Sequence, residues 1–314
     1  MMKYLCLDQN QWSALDAARH DPVKYRETFE VLRVISNNVA NGTLIVPILA
    51  GNIFETGKIS DEQTKRARLC LMNTLSCGHF LVGADLRRHI EICDVLAREF
   101  GAIVPDREID WFITRKFWEA TSVLSLDLSE GIHQLTELCP EMMFFSYMCD
   151  LPSDTRSAAY AEYEAGAQNL LFEIQKRRAK AHSQSLSMRR KILSVQLWMD
   201  AQDAFWKAID RLKIPSERFK EASSTVMKNL IRDVPSLFVE RELSLCIEAE
   251  ETTLNSHDLV DMQFFTGAIA YMDIVVAEKG FVNRAMQCKL DEKFNTRMIS
   301  NLHDLPAVLN EVDE

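Results

Sequence analysis

Residues 4–10 read Tyr4-Leu5-Cys6-Leu7-Asp8-Gln9-Asn10, a short apolar run that stops on an acid. Such a run suits an interior β-strand. The polar residues after it mark the turn into a helix, with Asn10 or Ser13 placed to cap it. The same punctuation recurs twice. Leu44-Ile45-Val46-Pro47-Ile48 is followed a few residues on by Glu55, and Ile274-Val275-Val276-Ala277 stops on Glu278. Carboxylates at the ends of strands so far apart in the chain meet only if those strands lie side by side.

The segments between these strands have helical periodicity. Residues 22–41 place Phe29, Leu32, Ile35 and Val39 on one face, and Asn41-Gly42 ends that helix. Ser60 is placed to cap a helix running to about Ser76. Phe80-Leu81-Val82 reads as a further strand, with a helix over 85–100. Short apolar strands alternating with helices predict an α/β fold with a parallel sheet. From Pro105 the strand signal fades. Residues 154–182 and 185–213 read as long helices, and Pro215 and Pro235 mark breaks. Alternation resumes with a helix over 256–271, a strand over 273–277, a helix over 280–288 and a strand near Arg297-Met298-Ile299. The chain therefore divides into a discontinuous α/β domain, 1–104 and 252–314, and an α-helical insertion, 105–251.

Parallel sheets bind ligands beyond the carboxyl ends of their strands. Asp8, Glu55 and Glu278 are expected at that edge. Asp258 and Asp261, three residues apart, share a face near the start of the 256–271 helix, and Asp273 precedes a strand. Clustered carboxylates repel one another unless a cation lies among them, and Mg²⁺ or Mn²⁺ prefers such oxygen ligands. The ion would polarise a phosphodiester and lower the pKa of a bound water. Each acid also has a plainer reading. Asp8 suits a helix cap, Glu55 an exposed helix position, and Asp258 a dipole-favoured first turn. Glu278 has Lys279 and Arg284 within reach as ion-pair partners.

Two stretches carry a family resemblance. Tyr4 through Ser13, with Asp8 ending the strand and Asn10 two residues on, resembles the first strand of PIN-like nucleases. Asn255 through Lys279 resembles that family's acid-led helix followed by a strand ending in another acid. The resemblance implies an α/β/α sandwich with a central parallel sheet and Mg²⁺- or Mn²⁺-dependent cleavage of nucleic acid, RNA before DNA. It implies Asp8, Glu55, Asp261 and Glu278 as the catalytic acids, with Asp258 or Asp273 assisting at the metal and Asn10 auxiliary. The sequence departs from the family at Glu278, where a shorter side chain is common. The family's frequent roles as toxins and in antiviral defence imply an antitoxin or another regulatory protein as a partner.

The densest positive run is Lys176, Arg177, Arg178 and Lys180, continued by Arg189, Arg190 and Lys191. It is placed to neutralise phosphates, or else forms a solvated helix turn. Trp198 and Trp206, eight residues apart, are expected on one buried helical face. Arg177-x₄-His182 also resembles the short motif of HEPN ribonucleases, which cleave RNA without metal. A third reading is a non-catalytic PIN-like module that binds through its helices, and the same helices suit self-association.

Composition bounds these readings. The 314 residues, 47% apolar and 26% charged, are enough for a substantial core. A net charge of −10 gives no general attraction for a polyanion, so any nucleic-acid contact has to be local. Eight cysteines without CxxC spacing read as reduced thiols of a cytoplasmic protein, not as a disulfide frame or zinc site. No stretch approaches the roughly 20 apolar residues that span a bilayer.

Overall fold

The computed structural model describes residues 2–104, 106–121, 129–181, 184–250 and 256–311. Within them it describes the side chains of all but 163, 180, 181, 222–225, 256–261, 263 and 264. Six strands are β1 (Lys3–Leu7), β2 (Leu44–Ile45), β3 (Phe80–Leu81), β4 (Ile113–Thr114), β5 (Ile274–Val276) and β6 (Arg297–Ile299). Helices dominate. The first five are α1 (Gln9–His20), α2 (Arg26–Ala40), α3 (Ala50–Gly57), α4 (Glu62–Ser76) and α5 (Ala84–Phe100). The middle of the chain holds α6 (Phe117–Ala120), α7 (Glu130–Leu138), α8 (Pro140–Asp150), α9 (Ser153–Ala181), α10 (Leu186–Asp200), α11 (Gln202–Arg211), α12 (Ser216–Asp233) and α13 (Pro235–Ala249). The last four are α14 (Ser256–Tyr271), α15 (Lys279–Gln287), α16 (Leu290–Phe294) and α17 (Leu305–Asn310).

Four strands form a parallel sheet in the order β2-β1-β5-β6. The register pairs Leu5 with Ile274 and Leu7 with Val276, and the Asp8 N–H extends the ladder to the Val276 carbonyl at 3.0 Å. Chain ends some 270 residues apart thus meet at the centre of the sheet. Side-chain alternation sends Leu5, Leu7, Ile274 and Val276 into one core with Trp12, Ile35 and Leu69. Cys6, Val275 and Ala277 enter a second core with Leu243, Met262 and Ile269. Both faces of the sheet are therefore covered by helices, which is why its strands are apolar throughout.

Local chemistry sets the boundaries. Asp8 takes the capping role at α1, accepting the Gln9 N–H at 2.6 Å. Asp61, not Ser60, caps α4 by accepting the Thr64 N–H at 2.7 Å. Gly101 ends α5 with φ of 65°, a left-handed turn that glycine adopts without penalty. Pro140 and Pro235 start α8 and α13, where a missing N–H costs nothing.

Several expectations are corrected. The strand expected over 43–48 is only two residues long, though Ile48 still bridges to Phe80. The helix expected over 185–213 breaks at Ala201 into α10 and α11. The break parts the two tryptophans. Trp198 is buried against Phe205, while Trp206 is half exposed. The middle segment also contains a strand, β4, paired antiparallel to β3. The buried clusters draw on residues from both sides of 104 and 252. Phe117, Phe144 and Met148 join the first core, Ala167, Ile174 and Val239 the second, and a third packs α5 against α10, α11 and α12. The middle helices complete the core of the sheet and also supply most of the third cluster, on which α5 packs.

Candidate active site

The strand order places β1 and β5 side by side at the centre, with β2 and β6 on opposite flanks. The connections leaving β1 and β5 therefore diverge, opening the crevice where parallel sheets take ligands. Asp8 ends β1 at this point. Glu278 lies two residues past the end of β5, at the N-cap of α15. Its carboxylate accepts the Asn10 amide at 2.6 Å rather than capping its own helix. Arg284, the ion-pair partner considered for Glu278, is engaged by Glu250 at 2.8 Å. Asn10 is held by α1, so the turn after β1 positions the acid after β5.

Glu55 enters from α3. Its carboxylate pairs with Lys58 at 2.5 Å and accepts the Tyr160 hydroxyl at 3.4 Å. The helix is fixed from two sides. Asn52, buried, caps its own first turn by accepting the Leu49 N–H at 3.1 Å, and donates to Gln9 Oε1 at 3.2 Å. Arg156 of α9 donates to the Gly57 carbonyl at 3.2 Å and to Glu62 at 2.9 Å.

The electrostatics join these acids. Asp8 is buried, and its proton affinity rises from the ordinary 3.8 to about 6. Burial is the main cause. The Gln9 N–H opposes it, and the negative charges of Glu278 and Glu55 add to it. Asp8, Glu55 and Glu278 thus share one field at the carboxyl edge of the sheet.

Asp273 does not join them. Its carboxylate accepts the Tyr4 N–H at 2.7 Å, and its own N–H donates to the Tyr4 carbonyl at 3.0 Å. It lies at the amino edge of the sheet, and from Tyr4 to Asp8 is roughly 13 Å of strand. The acid before β5 therefore ends up on the opposite side from the acid after it. Asp258 and Asp261 occupy the first two turns of α14, and their side chains lie outside the described residues.

The basic run has a different employment from the one expected. Arg177 donates to the buried Glu248 at 2.5 Å and to Gln196 at 3.1 Å. Arg178 donates to the Ile247 carbonyl. Arg190 pairs with Glu242 at 2.8 Å, Lys176 pairs with Glu173 at 3.4 Å, and Lys191 is exposed. Arg189 is half-buried, and the Lys180 side chain lies outside the described residues. Three of the arginines thus join the middle helices to α13. The arginine of the HEPN-like spacing is engaged by Glu248, and His182 lies outside the described residues.

Among the described residues, no three acidic, histidine or cysteine side chains form a group that could hold a metal ion. The three acids that act on one another at the edge offer carboxylate oxygens, the type Mg²⁺ and Mn²⁺ prefer. The mutual repulsion felt at Asp8 is the condition a cation relieves. Lys58 offsets part of it at Glu55. Sequence reasoning missed Asn52, Lys58, Tyr160 and Arg156. The Lys58 spacing from Glu55 was visible, whereas Tyr160 and Arg156 arrive from α9 with no local signal. Comparison with protein-family models, with curated proteins and with solved structures finds no match in any of the three.

Proposed function

We propose that the carboxyl edge of the sheet is the active site of a PIN-like, metal-dependent nuclease that hydrolyses RNA. The reading rests on Asp8, whose carboxyl is buried at the point where β1 and β5 diverge and is repelled by Glu278 and Glu55. Asp8, Glu278 and the α14 acid Asp261 would hold a Mg²⁺ or Mn²⁺ ion, with Asp258 beside them. Bound there, the ion would polarise a phosphodiester oxygen and acidify a water.

The chain's own residues do the rest. The Gln9 N–H fixes Asp8 through Oδ1. The Asn10 amide fixes one oxygen of Glu278, which shortens the reach of a side chain longer than the family's usual acid. Lys58 holds Glu55, and with Lys279 in the first turn of α15 it supplies positive charge beside the acids for a phosphate chain. With three arginines of the 176–191 run engaged by α13, the strand's guidance falls to cations at the edge itself.

The test is cleavage of a mixed RNA pool by the purified chain with Mn²⁺, with EDTA, and with Asp8→Asn and Glu278→Gln, folding being followed by circular dichroism. Cleavage is expected only from the wild type with metal. Activity that persists in EDTA and in Asp8→Asn would refute the reading and favour a metal-independent mechanism.

A further inference from the structure

Two half-buried cysteines face each other where α13 packs against the end of α15. Cys246 lies in the last turn of α13, and Cys288 is the C-cap residue of α15. Cys288 Sγ donates to the Glu242 carbonyl at 3.3 Å, one helical turn below Cys246. Cys246 Sγ donates to Gln287 Oε1 at 3.5 Å, next to Cys288. These crossed contacts place the two thiols side by side across the α13–α15 contact. Two ion pairs flank them, Arg284 with Glu250 and Arg190 with Glu242.

The two thiols are not equivalent. Cys246 is lowered from its ordinary value chiefly by the neighbouring Cys288 thiol, with Arg284 acting in the same direction. Cys288 is pushed up by the neighbouring Cys246 and by burial. A thiol that ionises more readily beside a second thiol is the arrangement of redox-sensitive cysteine pairs.

We infer that Cys246 and Cys288 form a peroxide-responsive dithiol site, in which a hydroperoxide oxidises Cys246 and Cys288 closes an intramolecular disulfide tying α13 to α15. In the first step the Cys246 thiolate attacks one peroxide oxygen. An S–O bond forms, the O–O bond breaks, and the departing oxide takes up a proton. In the second, Cys288 sulfur attacks Cys246 sulfur. The S–S bond forms, the S–O bond breaks, and hydroxide leaves as water with the Cys288 proton. The sulfurs lose two electrons and the peroxide gains them. Because Glu278 immediately precedes α15, the tie restrains an element of the acidic edge. The disulfide itself does not depend on what that edge catalyses.

The experiment exposes the 314-residue chain to one equivalent of hydrogen peroxide, alkylates it, and digests it without reductant for mass spectrometry. The expected product is the Cys246 and Cys288 peptides joined to each other. Free thiols should fall from eight to six and be restored by dithiothreitol. Cys70 and Cys77, which are more exposed, should still be alkylated. In Cys288→Ser, a dimedone-reactive sulfenic acid should persist on Cys246. The inference is overturned if Cys246 and Cys288 both remain alkylatable while the exposed thiols oxidise, or if either joins a different cysteine. Because the wild-type digest is decisive alone, a variant that fails to fold leaves the test intact.

Discussion

Replacing Asp8 by Asn should make the metal-free protein more stable at neutral pH, although it removes an acid from the proposed site. Moving the Asp8 carboxyl from 3.8 to about 6 means that the folded state binds its proton more tightly than the unfolded chain. At about 1.4 kcal/mol per factor of ten in proton affinity, the ionised group costs the fold about 3 kcal/mol. The sign follows from linkage. Between 3.8 and 6 the folded state holds more proton, so stability falls as pH climbs through that window and stays low above it. Asn removes the charge and keeps an oxygen for the Gln9 N–H, whose opposing pull is already contained in the net shift. The net gain expected for Asp8→Asn is about 3 kcal/mol at pH 7.5. It should shrink as pH falls through 6 toward 3.8 and vanish near pH 3, where the aspartate is protonated in both states. Urea unfolding in EDTA, followed by tryptophan fluorescence, measures it, since Trp12 is fully buried on the helix that Asp8 caps. A variant less stable than wild type at pH 7.5, or a difference that does not change from pH 7.5 to 4, would refute the electrostatic reading.

Gly267→Ala should lower the midpoint of thermal unfolding, because a Cβ at this buried position of α14 would overlap the Arg87 guanidinium. The overlap would displace the Arg87 bond to the Val82 carbonyl at a cost of about 1–3 kcal/mol, and an unchanged midpoint would contradict that packing. Arg177→Ala should destabilise by about 3–5 kcal/mol by leaving Glu248 buried without its cation. Loss of RNA affinity with unfolding unchanged would instead return the 176–191 run to nucleic-acid binding.

The strands of the parallel sheet were readable because each lies in a short apolar run bounded by polar punctuation, whereas their order β2-β1-β5-β6 was not, since the acids required only that their strands be neighbours. The edge positions of Asp8 and Glu278 were legible for the same reason. Asp273 was not, because an acid just before a strand and one just after it look alike in sequence while the strand carries them to opposite edges. The arginines of 176–191 were misleading in another way. A run of positive charge looks free until its partners are known, and Glu242 and Glu248 lie more than fifty residues away. β4 escaped notice because two paired residues leave almost no periodicity. The helix break at Ala201 was hidden by an uninterrupted helical composition, so that Trp198 and Trp206 were read as sharing one face.

The claim on which the rest depends is that the acids gathered beyond β1 and β5 hold a divalent cation. Anomalous diffraction from crystals soaked in Mn²⁺ tests it most directly. The account predicts a peak within about 2.0–2.2 Å of carboxylate oxygens from Asp8 and from an acid of α14 or Glu278, absent in Asp8→Asn crystals. A soaked crystal with no peak at that edge, or with its peak elsewhere, would contradict it.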